Sequence, residues 1–205
     1  MSVSLLSVSG GPTFSAVGPR VALVGDTRDV VDALDGAPKG GLVALVVDRP
    51  LPSSRVGVAR KQGGFFADLT PREHVTWSAR LAGMSVQAAE ARARACCDRS
   101  GLGRHADRRM GALAPPFVRL ALVAAAVVTD PDVLVCEGLL DDVDRAWAGF
   151  LLGGLVALLG DKAAILTITD VADEGPRRDL VVGCDQVFVL DGARVEPFAL
   201  PDEAA

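Results

Sequence analysis

Five short apolar runs rich in β-branched residues constrain this chain most: Val21 to Val24, Leu42 to Val47, Val133 to Cys136, Ala164 to Ile168 and Val187 to Leu190. Continuous runs of this kind, without polar alternation, read as buried strands of a sheet covered on both faces. The stretches between them carry helical patterns, so the fold class is α/β, a sheet with helices on its faces. The segment from Pro71 to about Gly111 differs: it is rich in Ala and Arg, has amphipathic spacing, and breaks at Gly83 and at Gly101–Gly103. It reads as a helical lobe inserted into the core. Another helix is predicted over Val118 to Val128, after Pro115 and Pro116, with a stop at Asp130–Pro131. The expected organisation is one domain over 1–195, with its core at 1–69 and 118–195 and the helical lobe at about 70–117. A flexible tail is expected over 196–205.

Composition removes several classes of protein. Of 205 residues, 50% are hydrophobic and 23% charged, so the chain can bury a core and is not globally disordered. Its net charge of −5 disfavours nucleic acid or an anionic membrane surface as a main partner. The N-terminus has neither a basic segment nor a long apolar one, so no secretory signal is read and a cytoplasmic protein is expected. Ala146 to Leu159 is the longest uncharged apolar stretch, shorter than the roughly 20 residues of a membrane span. Cys96, Cys97, Cys136 and Cys184 form no CxxC pair and read as reduced structural thiols. His74 and His105 have no companions at zinc spacing, and no metal site is expected.

The order of segments from Gln62 to Val195 resembles the ATP-binding cassette of ABC transporters. Gln62 followed by GGFFADLTPREHV is similar to the family's Q-loop and the start of its helical lobe. LAPPF, from Leu113 to Phe117, stands where the signature LSGGQ is expected; Leu113 precedes Asp130 by 17 positions (130 − 113), the family's usual gap. VLVCEGLLDDVD, from Val133 to Asp144, fits Walker B through the D-loop. LTITD, from Leu166, fits the H-loop strand, and CDQVFVLDGARV, from Cys184, fits the closing strand and turn. The resemblance implies a P-loop NTPase (RecA-like) core with an inserted helical subdomain. The N-terminal β-subdomain is expected to be abridged, since only 11 positions separate Phe14 from Gly25.

Nucleotide chemistry on such a cassette needs groups that this chain lacks. A P-loop cradles phosphates with backbone N–H groups, a Lys and a Ser/Thr. Here Val21–Val24 leads into GDTRDVVDALDG, without the second glycine, the Lys or the Ser/Thr at the required spacing. That stretch instead holds Asp26, Asp29, Asp32 and Asp35 against Arg28, a local sum of −3. A carboxylate about 8 Å from a phosphate charge costs roughly 2 kcal/mol at an effective dielectric near 20. In register with Walker B, Glu137 falls on the magnesium-side acid and Gly138 on the position of the glutamate that polarises water. A shift of one residue would instead put Glu137 on the catalytic position, but the unbroken fit from Val133 to Asp144 favours the first register. Thr169 stands for the H-loop histidine, Ala114 offers no hydroxyl, and Pro115 and Pro116 have no N–H. No catalytic residue is assigned, ATP hydrolysis is expected to be lost, and no cofactor is expected unless the degenerate site still binds Mg·ATP. Cassettes pair head to tail, so a dimer with an intact ATPase would have both composite sites damaged.

Gln62, Glu137 and Asp144 are the vestigial nucleotide-site candidates. Gln62 also reads as an ordinary loop residue and Asp144 as a helix N-cap. The resemblance places Phe65, Phe66 and Trp77 at the groove that receives a permease's coupling helix, although packing within the helical lobe fits them equally. AWAGFLLGGLVALL, from Ala146 to Leu159, is apolar all round where relatives carry charge. It is either wholly buried or covered by another chain, and coverage, with Trp147 and Phe150 as partner contacts, is the favoured reading. The implied partner is a transmembrane permease or other membrane subunit, possibly with a second cassette subunit. The function expected is a structural or regulatory pseudo-ATPase of a transport complex, peripheral at the inner face of the cell membrane. An atypical active ATPase and a soluble interaction module are the alternatives.

Overall fold

The computed structural model describes residues 3–7, 14–16, 20–25, 43–47, 49–50, 56–61, 63–131, 133–160, 162–168, 178, 184–191 and 194–197. Its centre is a six-stranded sheet of order β10-β9-β3-β8-β7-β6. The strands are β3 (Arg20–Gly25), β6 (Val56–Ala59), β7 (Val133–Glu137), β8 (Ala163–Ile168), β9 (Gln186–Asp191) and β10 (Arg194–Pro197). All neighbours are parallel except β10, which runs antiparallel to β9. Val21, Ala22 and Leu23 of β3 and Val133, Leu134 and Val135 of β7 are fully buried. That is why these strands read as unbroken apolar runs. β6 was not among the expected strands: Gly57 interrupts its four residues, VGVA, so they form no unbroken apolar run.

Leu42–Val47 belongs elsewhere than expected. Val43–Val47 is β4 of a separate antiparallel sheet, order β2-β1-β4-β5, with β1 (Val3–Ser7), β2 (Phe14–Ala16) and β5 (Arg49–Pro50). Its register with β1 runs from Val3↔Val47 to Ser7↔Val43. A continuous apolar run specifies burial and extension but not its neighbours, and here the neighbour is the N-terminal segment VSLLS. This sheet stands where an abridged β-subdomain was expected; its longest strands have five residues. Glu196 and Pro197, assigned by sequence to the tail, are rungs of β10 opposite Val189 and Phe188.

The helical lobe opens with α1 (Pro71–Leu81), closed by a capping box in which Glu73 N–H donates to Thr70 Oγ1 and Thr70 N–H donates to Glu73 Oε2. Pro71 at the first helical position loses nothing, because its missing N–H would be unpaired there. A turn at Gly83 leads to α2 (Val86–Arg99), capped by Ser85. Two 3₁₀ turns, Gly103–His105 and Met110–Ala112, return the chain to α3 (Pro115–Val127). After β7 comes α4 (Arg145–Leu159), whose Ala148, Leu151, Leu155, Leu158 and Leu159 are buried. Each such leucine contributes about 1.5–3 kcal/mol by leaving water. At Gly154 a Cβ would lie 2.7 Å from both methyl carbons of Leu120 and 2.9 Å from the Ser100 carbonyl oxygen, so α4 rests on α3 at a distance only glycine permits. Among the described residues no helix is long and apolar enough to cross a membrane.

Candidate functional site

In an open parallel sheet, ligands approach the carboxyl ends of the strands. Here β6, β7 and β8 bring Lys61, Glu137 and Thr167 to that edge. The chain leaves β7 through Gly138, whose φ of +53° lies in the left-handed region that glycine enters without strain. Gly138 N–H donates to the Thr167 carbonyl at 3.0 Å and is 3.2 Å from the Thr167 hydroxyl oxygen. A Cβ at Gly138 would fall 2.6 Å from Asp141 Oδ2 and 2.8 Å from Lys61 Cδ. The space beside the Gly138 Cα is filled by the Asp141 carboxylate and the Lys61 stem.

Those two residues form an ion pair with a third. Lys61 Nζ lies 3.3 Å from Asp141 Oδ2 and 2.9 Å from Asp142 Oδ2. Burial pulls the Lys61 ammonium down, but its hydrogen bond to Asp142 and the field of Asp141 outweigh that, and its pKa is raised above the ordinary value. The Lys61 backbone N–H donates to Glu137 Oε2 at 3.2 Å. From α3, the Arg119 guanidinium donates to the carbonyls of Leu139 (2.9 Å), Gly138 (3.4 Å) and Asp141. Glu137 thus ends β7 with its carboxylate engaged by the Lys61 backbone N–H. Lys61, Asp141, Asp142 and Arg119 were missed. The available signals were a lysine directly before Gln62 and an acidic doublet after the strand.

Asp144, a nucleotide-site candidate, caps α4: its Oδ1 accepts from Trp147 N–H at 3.1 Å. At the start of α3, Pro115 and Pro116 have no N–H to offer, and the N–H groups of Phe117 (3.0 Å) and Val118 (3.4 Å) both point to the Ala114 carbonyl. Ala114 itself makes no side-chain cap. The first four residues of this helix thus present no free donor, although a helix N-terminus is ordinarily an anion site. Ala114, Pro116, Arg119, Asp142, Asp144 and Trp147 line a cleft of about 190 Å³, which joins the signature position to the D-loop position. Gln62, Thr169 and the acidic stretch 26–36 lie outside the described residues.

The aromatic candidates separate into two groups. Phe65, Phe66 and Trp77 are 38%, 51% and 45% exposed, and the rings of Phe66 and Trp77 meet edge to face at 5.2 Å. Trp77 also lines a hollow of about 450 Å³ with Leu69, Arg72, Arg80, Glu90 and Arg94. Trp147, itself 36% exposed, and the half-buried Phe150 join a cluster around Phe117, at centroid distances of 5.3 and 5.1 Å, with the His105 ring tilted against Phe117 at 4.1 Å. One face of α4 is buried, while Ala146, Gly149, Gly153, Val156 and Ala157 face outward. The helix is therefore neither wholly buried nor wholly open. His74 is buried in the lobe and its pKa is lowered by burial. Burial also pushes the thiols of Cys97 and Cys136 up to about 12, which leaves them unreactive near neutral pH.

No protein-family model matches the chain. It is 31% identical over 195 residues to a Nod factor export ATP-binding protein I of Burkholderia orbicola and 29% identical over 194 residues to that of Burkholderia lata. Both alignments cover 92% of this chain and 62% of the relative, so the chain spans under two thirds of the length of these proteins. Among solved structures it is similar to cbiO1 of Clostridium perfringens, part of the ABC transporter complex cbiONQ, at TM-score 0.74 and 15% identity. That match covers 95% of this chain and 86% of the other. It is also similar to an ATP-binding cassette of an ABC transporter in its ADP conformation, at TM-score 0.73 and 13% identity, covering 96% and 90%.

Proposed function

Homologues of this chain are ATP-binding proteins of ABC transporters and its fold is that of the ABC ATPase cassette; on that premise we propose that it is a catalytically degenerate cassette subunit of an ABC-type export complex. It works at the inner face of the membrane by docking to a transmembrane permease rather than by hydrolysing ATP. Export is inferred from the Nod factor export proteins to which the chain is similar. One observation carries the loss of hydrolysis: the catalytic-glutamate position is Gly138, and its side-chain space is taken by Asp141 and Lys61. Position 138 thus has no carboxylate to draw a proton from attacking water, and the nearby Asp141 and Asp142 carboxylates are engaged by Lys61. The α3 N-terminus, with two prolines and two N–H groups turned inward, supports the same reading, because a partner's γ-phosphate would find no backbone N–H there.

The docking reading rests on Phe65, Phe66 and Trp77. Large aromatics left exposed beside a hollow are the composition of interface centres rather than of ordinary surface. The hollow has an arginine rim, Arg72, Arg80 and Arg94, facing Glu73 and Glu90, which suits a short amphipathic helix from a membrane subunit.

Titration calorimetry with Mg·ATP, together with a phosphate-release assay, tests the proposal. No heat at millimolar nucleotide and no phosphate release are expected. Saturable binding with turnover would instead establish an atypical active ATPase. Co-expression with a candidate ABC permease checks docking: the complex is expected to survive purification and to be lost when Phe65 and Phe66 are both changed to Asp.

A further inference from the structure

Lys61 serves neither the phosphate chemistry nor the docking groove, yet it joins two segments 80 positions apart. Asp141 is 1% exposed, a depth at which an ionised carboxylate requires a partner. The Asp142 side chain is open to solvent, so the ammonium is shared between one buried acid and one exposed acid. Asp142 has a φ of +56°, a left-handed conformation that Asp tolerates better than most residues, and the turn thereby delivers both carboxylates to one cation. Glu137 Oε2 holds the Lys61 N–H, and Arg119 holds the turn's carbonyls from the opposite side. The turn is thus tied to β6 by Lys61 and to α3 by Arg119.

We infer that Lys61 is a built-in counter-cation that latches the segment after β6 to the turn after β7, keeping both in one arrangement whether or not nucleotide and magnesium are present. The latch stands on the geometry alone; indifference to nucleotide rests on the reading of this chain as a cassette without ATPase activity. Because one ammonium serves both sides, the described residues 60–61 and 63–66 must open together with 138–147.

Hydrogen exchange read by mass spectrometry on the full chain tests this, with and without Mg·ATP. Lys61→Met is expected to speed exchange about tenfold or more in both segments at once, while β3 and β8 keep their protection. Lys61→Arg, which retains the charge, is expected to restore most of the protection. Exchange in Lys61→Met within about twofold of wild type in either segment overturns the latch. If circular dichroism finds Lys61→Met unfolded, Asp142→Asn replaces it, since removing the exposed acid leaves no buried charge unpaired. It is expected to speed both segments by about threefold, and unchanged exchange overturns the latch. Wild-type segments that respond to Mg·ATP overturn the nucleotide-indifferent half and the pseudo-ATPase reading, and a latch-dependent change in Lys61→Met remains a separate result.

Discussion

At the turn after β7 the polar groups are matched within the chain: Lys61 with Asp141 and Asp142, the Gly138 N–H with Thr167, and three carbonyls with Arg119. On the outer face of the helical lobe the opposite holds. Phe65, Phe66 and Trp77 keep between 38% and 51% of their surface in water, beside a hollow of about 450 Å³. In a working cassette both regions would answer to something outside the chain, one to nucleotide and one to a membrane subunit. On the proposed reading the described part of the first is satisfied within the chain, while the second keeps its aromatics in water. A site can lose its ligand by filling its own space, whereas an exposed aromatic face remains costly unless something covers it.

If this contrast is right, substitutions on the closed side cost stability and those on the open side cost binding. The largest stability effect is expected at Gly154→Leu beneath α4, where a side chain meets Leu120 and the Ser100 carbonyl; a loss of about 2–3 kcal/mol in denaturant unfolding is expected. Gly153→Ala on the outward face of the same helix has open space, and is expected to be neutral or stabilising by up to about 1 kcal/mol. Arg119→Met deprives three carbonyls of their donor and is expected to cost about 2 kcal/mol, with the lost protection concentrated in 138–141 by hydrogen exchange.

Thr70→Ala opens the capping box of α1 and is expected to cost about 1 kcal/mol. The pH dependence of the box has a definite sign. The backbone hydrogen bond at Thr70 is the largest cause holding the Glu73 carboxyl below its ordinary value. That contribution is present above the unfolded-state pKa and disappears as pH falls through the folded-state pKa. The difference in melting temperature between wild type and Glu73→Gln, which removes the titrating charge and leaves the residue-70 N–H in place, should therefore narrow in acid. Trp77→Asp is expected to change stability least, by no more than about 0.5 kcal/mol, yet to abolish co-purification with a permease. A Trp77→Asp chain that unfolds would break the contrast, because it would make Trp77 part of the core.

The strands β3, β7, β8 and β9 and the helices of the lobe were legible because their signals are local. Unbroken apolar runs mark strands covered on both faces, and Pro71, Gly83 and Pro115 mark helix ends where the structure has them. Leu42–Val47 was equally legible as a strand and misplaced as to sheet, because its partner β1 lies about 40 residues away in sequence and a run of Val and Leu does not encode its neighbour. At the candidate site, Gly138 and the two prolines could be read directly, since what a glycine or a proline cannot supply is known without coordinates. The Lys61 ion pair could not be read, for it depends on β6 and β7 lying side by side.

The same division holds for the apolar helix α4. Its sequence determined that it is hydrophobic on every side and where it begins, with Asp144 as its cap. Only the tertiary structure decided which glycine is needed: Gly154 lies against Leu120, while Gly149 and Gly153 meet nothing within 4 Å. By itself the sequence fixes what each residue lacks, such as a carboxylate at Gly138 or an N–H at Pro115 and Pro116. Whether the vacancy stays open depends on what folds into it, because side-chain contacts between distant segments are set by strand order and helix packing rather than by spacing along the chain.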